Sequence, residues 1–214
     1  MRIYITGIDG AGKTTIIEKL KTELFFNEEV EVIWARYKPK LLRYVVAPFK
    51  KSKTKGSTNF NDMNDVQYSN WSAFKKKITR NKSLSSVIFT IQYIEYSITV
   101  NNVLSKIKKG NSNTIVDRFI LDFLVDQSVN HKLSMDNWIV KRLLSKLRLF
   151  DYIVFVDVDE HIAFERKDDI PSKEYLSVRR TFYKAFVKEL DNAFVVSNNN
   201  NLSDAIESIL KKIH

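Results

Sequence analysis

The sequence predicts an α/β protein built on a five-stranded parallel sheet with helices on both faces. Three observations carry this. The chain opens with a strand-like run, a glycine-rich turn and an amphipathic helix in direct succession. Four further apolar runs of strand length follow, and helical stretches separate them throughout. Strict alternation of the two periods is the pattern of a sheet whose parallel strands are joined by crossover helices. At 214 residues, 44% hydrophobic and 12% aromatic, the chain can bury one substantial core, so one domain over residues 1–214 is expected.

The first strand is expected over residues 1–8, which are rich in β-branched and aromatic side chains and run into Asp9-Gly10-Ala11-Gly12. From Lys13 the apolar residues Ile16, Ile17, Leu20 and Leu24 recur at helical spacing. Residues 30–35 form the second strand candidate, and Asn113–Asp117, residues 152–158 and Ala193–Ser197 supply the remaining three. About eighty residues separate the second strand from the third, too many for a single crossover helix. Within that interval, residues 50–80 carry eight Lys or Arg against two Asp, together with Gly56 and several Asn, and read as part of a basic insertion over 50–84. A long helix is expected over 87–109, with Phe89, Tyr93, Tyr96, Val100, Val103 and Ile107 on one face and Gly110 ending it. Ser203 is the expected cap of the last helix, whose apolar face is Ala205, Ile206, Ile209, Leu210 and Ile213.

Composition narrows the function classes. With no cysteine, the chain has no disulfide, thiolate metal site or cysteine nucleophile, and the absence of a disulfide framework leans towards a reducing compartment. The N-terminus lacks a signal-peptide apolar stretch, and no run of eighteen apolar residues occurs, so a cytoplasmic protein without membrane segments is expected. A net charge of +10 favours polyanions, with nucleotides, nucleic acid and anionic membrane as the open choices. His131, His161 and His214 are dispersed and match no metal spacing.

The chemistry is carried by Gly7-Ile8-Asp9-Gly10-Ala11-Gly12-Lys13-Thr14, which satisfies the Walker A pattern G-x-x-x-x-G-K-[ST]. Glycines let backbone amides turn inward around phosphate oxygens, and the following helix adds its positive N-terminal end. A lysine at this position reaches the β- and γ-phosphates, and the Thr14 hydroxyl can enter a Mg2+ shell. The chain is therefore expected to bind ATP. Asp117 and Arg118 close the third strand candidate, and in a parallel sheet the carboxyl edge faces the ligand crevice. An aspartate there can hold Mg2+ through water, and an arginine can clamp a second phosphate.

Taken together, these residues resemble the thymidylate kinase family. GIDGAGKTT at 7–15 looks like that family's phosphate loop, Asp117-Arg118-Phe119 resembles its Asp-Arg-Tyr, and Arg36 falls on the arginine that ends its second strand. Val87-Ile88-Phe89 is similar to its Leu-Leu-Phe, and residues 152–166 are similar to its fourth strand and lid entry. The resemblance covers nearly the whole chain outside roughly 50–84. It implies a three-layer P-loop kinase fold, an acceptor-binding region over about 36–110, a lid over about 163–175 and a homodimer. The implied reaction is transfer of the γ-phosphoryl of ATP to dTMP, with Mg2+ as cofactor. Gly7, Asp9, Gly10, Ala11, Gly12, Lys13, Thr14, Thr15 and Arg166 would then bind ATP, with Thr14 and Asp117 at the metal. Asp9, Arg36, Phe89, Tyr93, Arg118 and Gln127 would bind the acceptor, and Lys13, Asp9, Asp117, Arg118 and Arg166 would be catalytic.

The departures from that family leave the acceptor open. Tyr93 stands where an arginine usually meets thymine, Asp122 takes the place of a serine, and Tyr37-Lys38 replace Glu-Pro after Arg36. Phe89 and Tyr93 also fit a plain helix core. Arg166, Lys167, Lys173, Arg179 and Arg180 surround the Asp168-Asp169-Ile170-Pro171 break and are the natural source of transition-state charge from the lid. Asp157 and Asp159 are expected to be solvated at a strand end. Two alternatives stand beside dTMP: a deoxynucleoside kinase, which phosphorylates a hydroxyl, and a nucleic-acid-binding P-loop ATPase, favoured by the basic stretch with Tyr68, Trp71 and Phe74 interleaved.

Overall fold

The structure, a computed structural model, describes residues 1–26, 28–39, 81–110 and 112–213. The basic stretch over 50–80 lies outside them. The chain divides into two compact units, Met1–Arg36 with Val100–His214, and Tyr37–Thr99.

In the first unit five strands form one sheet: β1 (Arg2–Thr6), β2 (Val30–Trp34), β3 (Asn113–Asp117), β4 (Tyr152–Asp157) and β5 (Ala193–Ser197). Their order is β2-β3-β1-β4-β5, and every neighbouring pair is parallel. Ile3, Tyr4, Ile5, Ile115, Val116 and residues 153–156 in the three central strands are wholly buried, which is why they read as unbroken apolar runs. The edge strands are less covered, with Val32, Trp34 and Val195 exposed. Helices α1 (Lys13–Glu23), α2 (Lys82–Lys109), α3 (Ile120–His131), α4 (Trp138–Lys146), α5 (Glu160–Glu165), α6 (Lys173–Val187) and α7 (Leu202–Ile213) complete the described elements, with a 3-10 turn at Leu147–Leu149. Helix α1 packs with α7, while α3 packs with α4 and α6, and α6 with α5, so the sheet is covered on both faces.

Strand order fixes where a ligand can bind. The connection after β1 runs to β2 on one side of it, and the one after β3 crosses to β4 on the other, so the carboxyl end of β1 lies at the switch point where the connections part. Pairing of Ile5 with Asp117 brings the end of β3 level with the start of the glycine-rich turn.

Five boundaries differ from the sequence expectation. Strands β1, β2 and β4 end at Thr6, Trp34 and Asp157, short of residues 8, 35 and 158; Ile8, Ala35 and Val158 are buried but lie past the strand ladders. Helix α2 starts at Lys82 rather than 87, Ser85 N donating to Asn81 O at 2.8 Å. The last helix starts at Leu202, and its cap is Asn201 rather than Ser203: Asn201 Oδ1 accepts from Ser203 N at 3.1 Å.

In the second unit the described residues are 37–39 and 81–99. Phe89, Gln92, Glu95 and Tyr96 are buried. Tyr37 Oη donates to Glu95 Oε2 at 2.9 Å, and its ring meets Tyr96 edge-on at 5.4 Å. Phe89 and Tyr93, both on α2, belong to this unit. Among the described residues no helix is long and apolar enough to cross a membrane.

Candidate active site

The turn after β1 has the backbone its glycines predict. Gly10 and Gly12 adopt φ of 80° and 82°, the left-handed region that side chains resist. A Cβ on Gly10 would also lie 2.3 Å from the Ala163 carbonyl oxygen at α5. Gly10→Ala is therefore expected to cost about 2 kcal/mol or more, seen as a melting temperature lower by roughly 4 °C or more, with weakened ATP binding. Thermal melts and nucleotide titrations of the variant check this, and an unchanged melt with full ATP affinity would contradict the geometry.

Lys13 is almost fully buried, 5% exposed, and its Nζ donates to Gly7 O and Ile8 O, both at 2.7 Å. Burial and the Arg118 charge push its ammonium down to about 8, against the opposing pull of Asp122, Asp9 and Asp117. Thr14 and Thr15 are exposed at the opening of α1. The loop thus presents a cation and the amino end of a helix at one place.

Beside it lies a hollow lined by Gly7, Ile8, Asp9, Arg36, Arg118, Asp122, Asp126, Tyr175, Arg179 and Tyr183. Three strand ends and two helices build it. Arg36 follows β2, where Ala35 N donates to Asp117 O at 3.0 Å and ties that exit to the end of β3. Arg118 follows β3 in a left-handed conformation, φ 57°, unusual for arginine and directed by its ion pair with Asp9, Nη2 to Oδ1 at 2.5 Å. Burial raises the Asp9 carboxyl, but Arg118, with Lys13 and Arg36, outweighs it and holds the group at about 2. Lys167 comes to 4.0 Å from the same carboxylate.

Asp122, in the first turn of α3, forms the floor. Its Oδ2 accepts from Tyr4 Oη at 2.8 Å, Thr6 Oγ1 at 3.1 Å and Phe119 N at 2.9 Å, and its Oδ1 accepts from Tyr183 Oη at 2.8 Å. Burial, then the Asp122 charge, raises both tyrosine hydroxyls well above their ordinary value, so both stay donors. Asp126 accepts from Arg179 at 3.0 Å, and the Arg179 guanidinium lies 3.6 Å from the centre of the Tyr175 ring.

Other expected residues have the following surroundings. Arg180, next to Arg179, is turned away and bonds Asp157 at 2.6 and 3.1 Å and Glu160 at 2.8 Å. Lys184 joins Asp157 at 3.0 Å, so Asp157 is an ion-pair centre and not the solvated strand end expected of it. Arg166 donates to Asn198 O at 2.9 Å and lies with the loop after β5. Gln127 is buried on α3, its Oε1 accepting from no described residue, and it does not line the hollow. Phe89 and Tyr93 lie in the second unit. Asp126, Tyr175, Arg179 and Tyr183 are hollow residues that sequence reasoning did not place there.

Asp117 has a buried Oδ1 with no hydrogen-bond partner among the described residues, and burial raises its carboxyl despite Lys13 and Arg118. An orphaned carboxylate oxygen at the strand end beside the phosphate turn is what a hydrated divalent cation would satisfy. Oxygen donors such as Asp117 and the Thr14 hydroxyl suit Mg2+.

The architecture is the P-loop kinase fold, with the Walker A turn after β1 and a small polar hollow at the switch point. No family model matches the chain's sequence, and no curated protein does. Among solved structures, deoxyadenosine kinase from M. mycoides with bound dATP aligns over 100% of this chain and 99% of that chain, at 19% identity and a TM-score of 0.53. The structure of the same enzyme with products dCMP and a flexible dCDP aligns over 100% and 98%, at 20% identity and a TM-score of 0.52. At such identity the likeness is one of fold.

Proposed function

We propose that this chain is an ATP-dependent phosphotransferase of the nucleoside and nucleotide kinase class, with a deoxynucleoside as the acceptor. The observation that carries the choice of acceptor is charge balance. The hollow sets three arginines, Arg36, Arg118 and Arg179, against three aspartates, Asp9, Asp122 and Asp126. Arg118 and Arg179 are committed to Asp9 and Asp126. A lining without surplus positive charge suits a neutral, hydroxyl-bearing acceptor better than a phosphate dianion. The likeness to a deoxyadenosine kinase over the full chain supports the same class.

In this reading Gly10, Gly12 and Lys13 hold the ATP phosphates, and Thr14 and Asp117 would hold a Mg2+ that would neutralise charge on the phosphate oxygens. The acceptor's hydroxyl oxygen attacks the γ-phosphorus, the bond to the β-phosphate oxygen breaks, and ADP leaves with the electron pair. The hydroxyl proton passes to a carboxylate of the hollow. We assign that role to Asp9, which is ionised at ordinary pH and lies in the turn after β1. A weak base suffices because the transition state is loose and the proton leaves late.

The second reading, dTMP to dTDP, is favoured by Arg36, which makes no ion pair among the described residues and lines the hollow beside Asp9. A panel of deoxyadenosine, deoxycytidine, thymidine, dCMP and dTMP with ATP, followed by ADP release and product chromatography, decides between them. Monophosphate products are expected from at least one nucleoside. Turnover of monophosphates alone would move the assignment to the second reading. Inactivity on all five, with hydrolysis stimulated by single-stranded DNA, would overturn both.

A further inference from the structure

We infer that Asn198 is a positioning residue for the donor phosphates, acting by fixing one peptide plane of the phosphate turn. It sits just after β5, only 4% exposed, 187 positions along the chain from the atom it touches. Its Nδ2 donates to the Ala11 carbonyl oxygen at 2.9 Å. In a trans peptide the carbonyl and the following N–H point in opposite directions, and the chain has no cis bond among its described residues. Anchoring Ala11 O on Asn198 therefore aims Gly12 N–H the other way. That amide sits at the N-cap of α1, where donors have no helical partner, and no described residue accepts from it. A phosphate oxygen is the ligand such an amide is free to bind.

The position is built and not incidental. Asn198 N donates to Asp157 O at 2.9 Å, and Arg166 Nη1 donates to Asn198 O at 2.9 Å, so the residue is held from both sides. A Cβ at Gly12 would lie 2.6 Å from Asn198 Nδ2, so the glycine is required as much by this amide as by its left-handed φ. Without the anchor, no other described residue donates to Ala11 O, and a flip of the Ala11–Gly12 peptide would turn a carbonyl oxygen towards the phosphates.

The inference rests on the phosphate-turn reading and is independent of which acceptor is used. Its test is Asn198→Asp, which keeps the shape and replaces the donor with a carboxylate facing a carbonyl. Asn198→Ser supplies the same comparison should the first variant lose its cooperative melt. Dissociation constants are measured for ATP and for inorganic tripolyphosphate, both with Mg2+, alongside KM for the acceptor. Both constants are expected to rise by the same factor, about tenfold, the loss of one charge-assisted hydrogen bond, with acceptor KM unchanged. Weaker ATP binding with unaltered tripolyphosphate binding would mean that Asn198 serves the nucleoside part of the donor, and the inference fails. Unaltered binding of both, or an equal rise in acceptor KM, also overturns it. Wild-type protein that binds neither ligand would take down the phosphate-turn reading itself.

Discussion

Replacing Lys13 with methionine should lower phosphoryl transfer by at least about a hundredfold while the protein still folds, because two charge-assisted hydrogen bonds to phosphate are worth roughly 3 kcal/mol or more. The side chain is buried and donates to Gly7 O and Ile8 O. Those bonds hold the ammonium over the turn, and in the proposed function it exchanges them for phosphate oxygens. Methionine fills similar space without the charge, so the site keeps its packing and loses its electrostatics. The stability consequence has a definite sign. Folded Lys13 titrates at about 8, and an unfolded lysine near its ordinary 10.5. Between those values the unfolded chain binds more protons, so the wild type gains stability as pH rises through the window. Below 8 the full cost of burying the charge is present. The melting temperature of Lys13→Met relative to wild type should therefore be highest near neutral pH and fall back as pH rises through 8 towards 10. Coupled ADP-release rates and melts at the two ends of that window check both statements. Transfer within threefold of wild type in a folded variant would remove Lys13 from the mechanism.

Much of the scaffold is legible in the sequence, for a physical reason. Strands buried on both faces must be apolar without interruption, and YIVFVD in β4 and TIV in β3 leave little choice. The phosphate turn is legible because left-handed positions demand glycine and the phosphates demand lysine. The hollow is harder. Arg179 and Arg180 are neighbours in sequence, yet successive residues on a helix point about 100° apart. One therefore faces Asp126 in the hollow and the other faces Asp157 at the end of β4. Only the azimuth of α6 on the sheet decides which, and α6 carries charges on more than one side. Asp122 looks like a serine replacement within a motif, but its role is set by Tyr4, Thr6 and Tyr183, which lie 118 and 116 positions before it and 61 after it. Asn198 opens a run of polar residues that reads as an ordinary loop. Its hydrogen bond to Ala11 depends on β5 lying at the sheet edge beside β4.

Arg118→Ala should cost at least about a hundredfold in turnover and should also create a pH dependence that the wild type lacks. In the wild type, burial works to raise the Asp9 carboxyl, and the Arg118 guanidinium, assisted by Lys13 and Arg36, overcomes it and keeps the group at about 2. Asp9 is then ionised at every pH at which the protein would be assayed, and the rate carries no acid limb from it. Removing the guanidinium leaves burial as the larger influence, so the carboxyl rises and protonates within the accessible range. The variant should lose activity progressively on the acid side, and the wild type should not. Stability follows the same group. A carboxyl depressed to about 2 contributes stability that is present above its unfolded value, near 4, and is lost as pH falls through about 2. The variant forgoes that contribution at neutral pH, where breaking a largely buried pair costs roughly 3 kcal/mol. Arg118→Lys separates charge from shape: it restores a cation near Asp9 but not the planar fork, so the acid limb should retreat while part of the rate loss remains. Rate profiles of the three proteins from pH 5 to 8 decide the matter. Parallel profiles for wild type and Arg118→Ala would show that Asp9 is not held ionised by Arg118, and the proton-accepting role assigned to that carboxylate would have to pass to another residue of the hollow.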